Sequence, residues 1–327
     1  MVKTNESREP RTIGGHFSAV LENRCNVLPG QYGYESARAG LFAVLKAANC
    51  RRVFIPYYVC DAVPSAIRAA GCEVDFYSIN AAFEIDEAIA LAEGDLVLLV
   101  DYYGLCRSQI ENQLGLFPKN SVIVDCSQAW FQAPFDCLAT IYSPRKFLPV
   151  PDGGVVHTSL KLETQEPDER SSLERYQYLL ERVTGEPEAS RELYLESEAQ
   201  LELPSLRGMS AFTRKLIEVA DQDFIKARRA GNWDALSGLG AVNRLGFEPA
   251  GQAPICYPLM FEGAGQLRDE LRKERVFAPL YWPGVTCTNA HEKALVSNTL
   301  YLPIDHRYGE ADMARLLEFF KEHSVIS

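Results

Sequence analysis

The chain has 327 residues, of which 47% are hydrophobic and 24% are charged. This composition is typical of a globular protein with enough apolar residues for one large core or for two domains. The net charge of -11 repels phosphate backbones, so we expect no nucleic-acid partner. No run of about 18 apolar residues is present, so no membrane span is predicted.

Residues 1–20 are polar and lack the apolar core of a signal peptide, so they are predicted to be a flexible tail. The nine cysteines are scattered, and they form neither a CxxC pair nor a Cys/His cluster of zinc spacing. This pattern predicts reduced thiols in a cytoplasmic protein. The five histidines form no triad or ligand spacing, and no metal site is predicted.

Between residues 35 and 125 the sequence alternates between helical and extended patterns. Helices are predicted at 36–48, 62–70 and 85–92. Strands are predicted at 52–56, 73–77, 95–100 and 121–124. Continuously apolar strands separated by helices predict a mostly parallel sheet that is covered by helices on both faces. Ligands of such sheets bind at the carboxyl ends of the strands.

Residues 161–202, called the acidic segment below, are rich in acidic residues and helix-prone, and we interpret them as a solvated helical excursion. A long helix is predicted at 209–236. Strands at 255–261, 276–280 and 299–303 and helices at 266–273 and 310–322 then predict a small α+β domain. The predicted organisation is a large α/β domain at 21–210, a connecting helix at 211–240 and a small domain at 241–327.

An acid and a lysine give the strongest indication of chemistry. Asp125 ends an apolar strand, and Lys146 follows a short loop further on, ahead of an Asp-Gly-Gly turn that ends at Gly154. A carboxylate that holds a pyridinium nitrogen and a lysine that forms a Schiff base are the two groups that pyridoxal 5'-phosphate (PLP) chemistry needs most. Taken singly, Lys146 also fits a surface loop and Asp125 also fits a helix cap or an arginine partner.

Other candidates surround this pair. Ser36 and Ala37 open the first helix, where free N–H groups and the helix dipole favour a phosphate, although plain capping explains the serine equally well. Gln128 is a candidate partner for the ring hydroxyl. Aromatic pairs follow two strands, and Tyr57 or Tyr58 is a candidate to stack on a cofactor ring. Core packing is the expected role of at least two tyrosines in the set 57, 58, 102 and 103.

The order of these motifs resembles the DegT/DnrJ/StrS group of sugar-nucleotide aminotransferases, which are PLP enzymes of fold type I. The similarity runs from about residue 30 to the end. It rests on residues 36–41 at the phosphate-binding helix start, 100–104 at the V-H-x-Y-G strand end, 125–128 at the D-A-A-Q/H segment, Lys146 with the two glycines 153 and 154, and 302–304 at the L-P-L/I strand.

The resemblance implies a large PLP-binding α/β domain with a small C-terminal α+β domain, built as a homodimer. It implies transfer of an amino group from an amino acid, glutamate in most of the family, to a keto-sugar attached to a nucleotide. Lys146 is then the catalytic lysine, Asp125 holds the ring nitrogen, and Ser143 stands for the serine that contacts the phosphate. Cys60 stands where the family often has a ring-stacking aromatic residue.

Two alternatives stay open. One is elimination or dehydration on a similar sugar, although the dehydratase relatives carry histidine in place of the lysine. The other is a PLP-binding homologue that acts as a regulator and does not transaminate. Residues 281–284, His306 and Arg307 are further candidates for substrate contacts.

Overall fold

The computed structural model describes residue 28 and residues 30–185, 188–249 and 252–326. The predicted N-terminal tail, 1–20, lies outside the described residues. The described residues form a seven-stranded sheet and a two-stranded sheet with helices around them. The strands of the larger sheet are β1 (Tyr32–Tyr34), β2 (Arg52–Pro56), β3 (Glu73–Tyr77), β4 (Asp95–Val100), β5 (Val122–Cys126), β6 (Ala139–Tyr142) and β7 (Gly154–Thr158).

The strand order of the larger sheet is β1-β7-β6-β5-β4-β2-β3. Strands β3, β2, β4, β5 and β6 run parallel, and β7 and β1 are antiparallel to their neighbours. Every residue of β4 is buried, as expected of a strand that is covered on both faces. The predicted α/β class with a mostly parallel sheet is therefore confirmed.

Helices α1 (Ala37–Ala47), α2 (Ala62–Ala69) and α3 (Arg107–Leu114) follow β1, β2 and β4. The acidic segment contains α4 (Glu169–Arg175), α5 (Gln177–Thr184) and α6 (Arg191–Gln200), so its helical character is confirmed. Its position is a correction, because Arg175 in α4 and Ser197 in α6 are buried against the rest of the molecule. The segment is thus a packed part of the fold and only partly a solvated excursion.

The C-terminal part contains α7 (Ala211–Val219), α8 (Gln222–Ala235), β8 (Cys256–Met260), α9 (Leu267–Lys273), α10 (Ala290–Ser297), β9 (Thr299–Pro303) and α11 (Glu310–Glu322). Strands β8 and β9 pair antiparallel. The division of the chain into domains at 210 and 240 stays a prediction.

Three sequence predictions of elements are wrong. The helix expected at 85–92 is absent, because Ile85 forms an isolated bridge with Ile79 and donates its N–H to Gln113. The long helix at 209–236 is two helices, because Ala220 is extended and Asp221 caps α8 by accepting from Phe224 N–H. The strand expected at 276–280 is irregular.

The contact between the two sheets is made by tyrosine hydroxyls. Tyr58 follows β2, Tyr103 follows β4, and Tyr301 lies in β9. The Tyr58 hydroxyl lies 2.5 Å from that of Tyr301, and the Tyr103 hydroxyl lies 3.4 Å from each. All three rings are fully buried. The polar ends of these rings therefore satisfy one another at the boundary between the larger sheet and the C-terminal part.

Candidate active site

A cleft lies beside the carboxyl ends of β5 and β6, and its volume, counted out to its open mouth, is about 800 Å³. Five of the eight predicted site residues line it. They are Ser36, Ala37, Asp125, Ser143 and Lys146. The sheet explains this convergence, because the ends of neighbouring parallel strands meet at one edge.

Asp125 is fixed by the strand that carries it. It lies in β5 between Val100 of β4 and Ile141 of β6, and it is half-buried. Its Oδ1 accepts a hydrogen bond of 2.8 Å from the Ser127 N–H, which is the local turn that aspartate commonly forms. The carboxylate is thereby held at the wall of the cleft.

Lys146 ends a short 3-10 turn, Pro144–Lys146, that follows β6. Its side chain is exposed in the cleft, and the described part of the chain offers its amine no hydrogen bond or ion pair. The next residue, Phe147, is buried against the ring of Phe131, and the guanidinium of Arg229 lies 4.8 Å from the centre of the Phe147 ring. The lysine therefore extends from an anchored backbone with its amine free to react.

The start of α1 forms another part of the wall. Ser36 is the N-cap, and its Oγ accepts from the Ala39 N–H at 3.1 Å. The two glycines after the lysine turn pack directly on this helix start. A Cβ on Gly154 would lie 2.2 Å from the carbonyl carbon of Ser36, and Gly153 has a φ of 120°. Glycine is thus required here to bring the lysine loop and the helix N-terminus together.

Three predicted residues do not line the cleft, which corrects their expected placement. Tyr57 stacks on Phe76 with ring centres 5.1 Å apart. Tyr58 is fully buried among the hydroxyls described above. Gln128 is buried, and its Oε1 accepts from the Tyr103 N–H at 2.8 Å. Cys60 and Ser127 line the cleft where Tyr58 and Gln128 were expected.

The other candidates for substrate contacts are also outside the cleft. Tyr281 and Trp282 pack onto the buried tyrosines, with Trp282 4.7 Å from Tyr58 and Tyr281 4.3 Å from Tyr301 between ring centres. Arg307 is engaged by Asp305 through two hydrogen bonds of 2.7 and 2.8 Å. A substrate role for residues 281–284, His306 and Arg307 stays a prediction.

Several residues of the wall were not predicted as site residues, among them Arg38, Arg145, Glu198 and Leu201. Arg145 forms an ion pair with Glu198, and Arg38 Nη1 donates to the Leu201 carbonyl. Glu198 and Leu201 belong to the acidic segment, so this segment covers one side of the cleft. The two arginines are visible in the motifs, but their partners lie far away in the sequence.

A buried carboxyl lies behind the cleft. Asp101 follows β4, and its N–H donates to the carbonyl of Asp125 at 3.0 Å. Its Oδ1 accepts from the Cys106 N–H, and its Oδ2 is buried with no partner among the described residues. Burial raises the pKa of Asp101 to about 7, and the nearby charge of Asp125 adds to the rise.

The described residues contain no group of three or more His, Cys, Asp or Glu side chains that is arranged to hold a metal ion. Eight cysteines are described, and all are free. Of the helices that the structure describes, none combines the length and apolar character that crossing a bilayer requires.

Comparison with known proteins identifies the fold. No protein-family model and no curated protein matches the chain. Solved structures of the DegT/DnrJ/EryC1/StrS aminotransferases do share its fold, which confirms the resemblance inferred from the motifs.

A DegT DnrJ EryC1 StrS aminotransferase from Brucella abortus is 16% identical, with a TM-score of 0.61, over 89% of this chain and 85% of its own. Spr1654 from Streptococcus pneumoniae, solved in a PLP form, is 16% identical, with a TM-score of 0.63, over 90% and 88%. DesI, solved in the presence of its TDP-sugar product, is 17% identical, with a TM-score of 0.61, over 90% and 80%.

Proposed function

We propose that this protein is a PLP-dependent aminotransferase that acts on a keto-sugar. The observation that carries the proposal is the convergence of Asp125, Lys146 and the N-terminus of α1 on one cleft. These are the three groups that the pyridine nitrogen, the aldehyde and the phosphate of PLP require. The shared fold supports the proposal, because the similar structures include an aminotransferase and a PLP form.

The side chains of the cleft fit the cofactor. Asp125 Oδ atoms would hold a proton on the ring nitrogen, and Lys146 Nζ would hold the aldehyde carbon. Ser36 and the free N–H groups at the start of α1, together with Ser143, would hold the phosphate. Arg38 Nε and Arg145 Nη1 are buried without a hydrogen-bond partner among the described residues, and they add donors for an anion.

Bound PLP supplies an electrophilic carbon and a ring that accepts electrons from the substrate carbon. The chain contributes the proton chemistry. Lys146 Nζ is the proposed base that removes the substrate proton and the acid that returns it on the other side of the transfer. Asp125, whose carboxylate is held in place by the Ser127 N–H, would keep the ring nitrogen protonated.

The proposed donor is an amino acid, glutamate by resemblance, and the proposed acceptor is a keto-sugar attached to a nucleotide. DesI, which was solved in the presence of its TDP-sugar product, supports this class of acceptor. We also propose a homodimer, as the resemblance implies. Apolar side chains that are exposed on the acidic segment support an interface there. These are Leu173, Leu180 and Val183. A cytoplasmic location stays a prediction.

A PLP-binding homologue without transamination is the second candidate. Its motivation is that no aromatic residue lines the cleft in the described part of the chain, and Cys60 lies where the resemblance places a ring-stacking side chain. The presence of Lys146 disfavours the dehydratase alternative.

The test uses the full-length chain with PLP. We expect a visible absorption band, borohydride fixation of the cofactor on Lys146 as located by peptide mass spectrometry, and loss of the band when glutamate is added. Lys146→Ala should lose fixation and at least about 10³-fold of the transfer rate, because it removes the base. Lys161→Ala, at an exposed lysine outside the cleft, is the control.

Two results would contradict the proposal. Fixation at a lysine other than Lys146 would remove the assigned chemistry. A visible band that never responds to any amino donor, tested with the common amino acids, would favour the non-transaminating homologue.

A further inference from the structure

The last turn of α6 closes one side of the cleft. Glu198 and Leu201 line the cavity. Their partners are Arg145, which precedes Lys146, and Arg38, which lies in the first turn of α1. The acidic segment is therefore tied to both places where we propose that an anionic cofactor binds.

Both arginines retain unused donors. Arg38 Nε and Arg145 Nη1 are buried, and no hydrogen-bond acceptor is available to them within the described residues. A buried donor without a partner is costly, so such atoms usually mark a missing ligand. Arginine guanidinium groups bind phosphate through two parallel hydrogen bonds. The unused donors thus fit an anion that enters the cleft.

Glu198 competes with such an anion for the guanidinium of Arg145. Its carboxylate is the present partner of Arg145, so an incoming phosphate is repelled by it and competes with it for the guanidinium. The pair is only moderately protected, because the side chain of Arg145 is 19% exposed and that of Glu198 is 38% exposed. Partly exposed pairs are weak, so exchange for a dianionic phosphate is favourable.

The helix that carries Glu198 is also lightly anchored. Tyr194 is 42% exposed and Leu195 is 50% exposed on α6. Among its described residues only Ser197 is buried. The helix contacts α5 through the rings of Tyr178 and Tyr194, whose centres are 5.4 Å apart, and α4 through a long hydrogen bond of 3.4 Å from Arg175 to Gln200. Few buried contacts favour local opening.

We infer that Glu198 is an internal competitor of the anionic cofactor at Arg145, and that α6 moves away from the cleft when a phosphate-bearing ligand binds. This inference rests on the proposed function. It assigns Glu198 as a positioning residue that holds Arg145 before binding. It also assigns the cleft a preference for ligands whose negative charge exceeds that of one carboxylate.

The test compares three full-length proteins: wild type, Glu198→Gln and Glu196→Gln. Glu196 lies on the same helix, is exposed and does not line the cleft, so its variant makes the same change of charge without touching Arg145. The readouts are PLP association by stopped-flow absorbance, PLP affinity by titration, and hydrogen exchange of residues 191–201.

We expect Glu198→Gln to bind PLP about threefold to tenfold more tightly than wild type, mainly through faster association, because one weak competing ion pair is lost. Glu196→Gln should stay within about twofold of wild type. Without ligand, α6 amides should exchange faster in Glu198→Gln. In wild type, they should exchange faster when PLP is added.

The outcomes separate the two proposals. If wild type binds PLP and the two variants bind it with equal affinity, the inference is overturned and the proposed function stands. Weaker binding by Glu198→Gln would likewise overturn it, since Glu198 would then help to hold the ligand. Failure of all three proteins to bind PLP would contradict the proposed function and the inference together.

Discussion

The two walls of the cleft are built in different ways. The sheet wall consists of Asp125, Lys146 and the glycine turn packed on the N-terminus of α1, and backbone contacts fix it. The other wall, called the insert wall below, consists of the acidic segment. It is held by ion pairs between side chains: Glu198 with Arg145, and the buried Arg175 with Asp152. Backbone packing admits few substitutions, whereas ion pairs can be exchanged. The comparison indicates that the backbone at Asp125 and Lys146 is fixed by close packing, whereas the other wall depends on exchangeable ion pairs.

A substitution at Gly154 is expected to disrupt the packing of the sheet wall most. We expect Gly154→Ala to lower the free energy of unfolding by about 4 kcal/mol or more, because its Cβ would meet the backbone of Ser36 and Ala37 within 2.3 Å and neither can yield. Urea denaturation measures this. Gly231→Ala in α8, where the new Cβ meets nothing within 4 Å, is the control and should be neutral or stabilising. Equal effects would show that the close packing is not what holds this wall.

The insert wall is broken by removing its buried charge pair. Arg175 Nη2 lies 2.6 Å from Asp152 Oδ2, and both side chains are at most 3% exposed. Arg175→Met should cost about 3 to 4 kcal/mol, because it leaves Asp152 buried without a counter-charge. Hydrogen exchange should rise more in α4 and α6 than in β4 and β5, because the lost contact is local to the acidic segment.

The double variant Arg175→Met/Asp152→Asn is the matched control for that experiment. It removes the stranded charge and keeps an acceptor for the Thr213 hydroxyl, which bonds Asp152 in the native protein. We expect it to recover part of the lost stability. A uniform rise of exchange through both walls would contradict the separation between them.

The buried Asp101, which lies next to Asp125, provides a third test, of how burial of a charge affects the stability of the sheet wall. Its pKa is about 7 in the folded protein against an ordinary value of 3.8. The unfolded chain loses this proton near pH 4 and the folded protein only near pH 7, so this carboxyl lowers stability as the pH rises through that window. Asp101→Asn keeps an acceptor for the Cys106 N–H and has no charge to bury.

Relative to wild type, Asp101→Asn should therefore gain about 2 to 3 kcal/mol between pH 5 and pH 8. Urea denaturation at the two pH values measures the gain. Asp136→Asn, at a side chain that is 79% exposed, is the control. A gain of the same size in both variants would show that the effect is one of net charge and not of burial.

The sequence predicts the sheet wall well because its signals are local. Apolar runs place β2, β3 and β4 at the predicted residues, and the motif order places Asp125 and Lys146 at the same edge. The fold and the convergence of Asp125 and Lys146 on one cleft are thus available from pattern and resemblance alone.

The contacts of the insert wall cannot be predicted from the sequence, because they join residues that are far apart in the chain. Arg145 and Glu198 are 53 positions apart, and Arg38 and Leu201 are 163 apart. The helix expected at 85–92 is wrong for a related reason. Its composition favours a helix, but contacts of Ile85 with Ile79 and Gln113 override that preference. The helix cap at Asp221, in contrast, is a local signal in the sequence for the start of α8, and the prediction of one long helix does not take it into account.

The three tyrosine hydroxyls have a mechanical consequence. Tyr58 and Tyr103 lie on the loops that leave the larger sheet at the edge where Asp125 ends its strand, and Tyr301 lies in the two-stranded sheet. If the C-terminal part moves relative to the larger sheet, it must either break these hydrogen bonds, which are buried away from water, or move both loops with it. Motion of that part is therefore coupled to the loops after β2 and β4, so a substitution at this junction affects both.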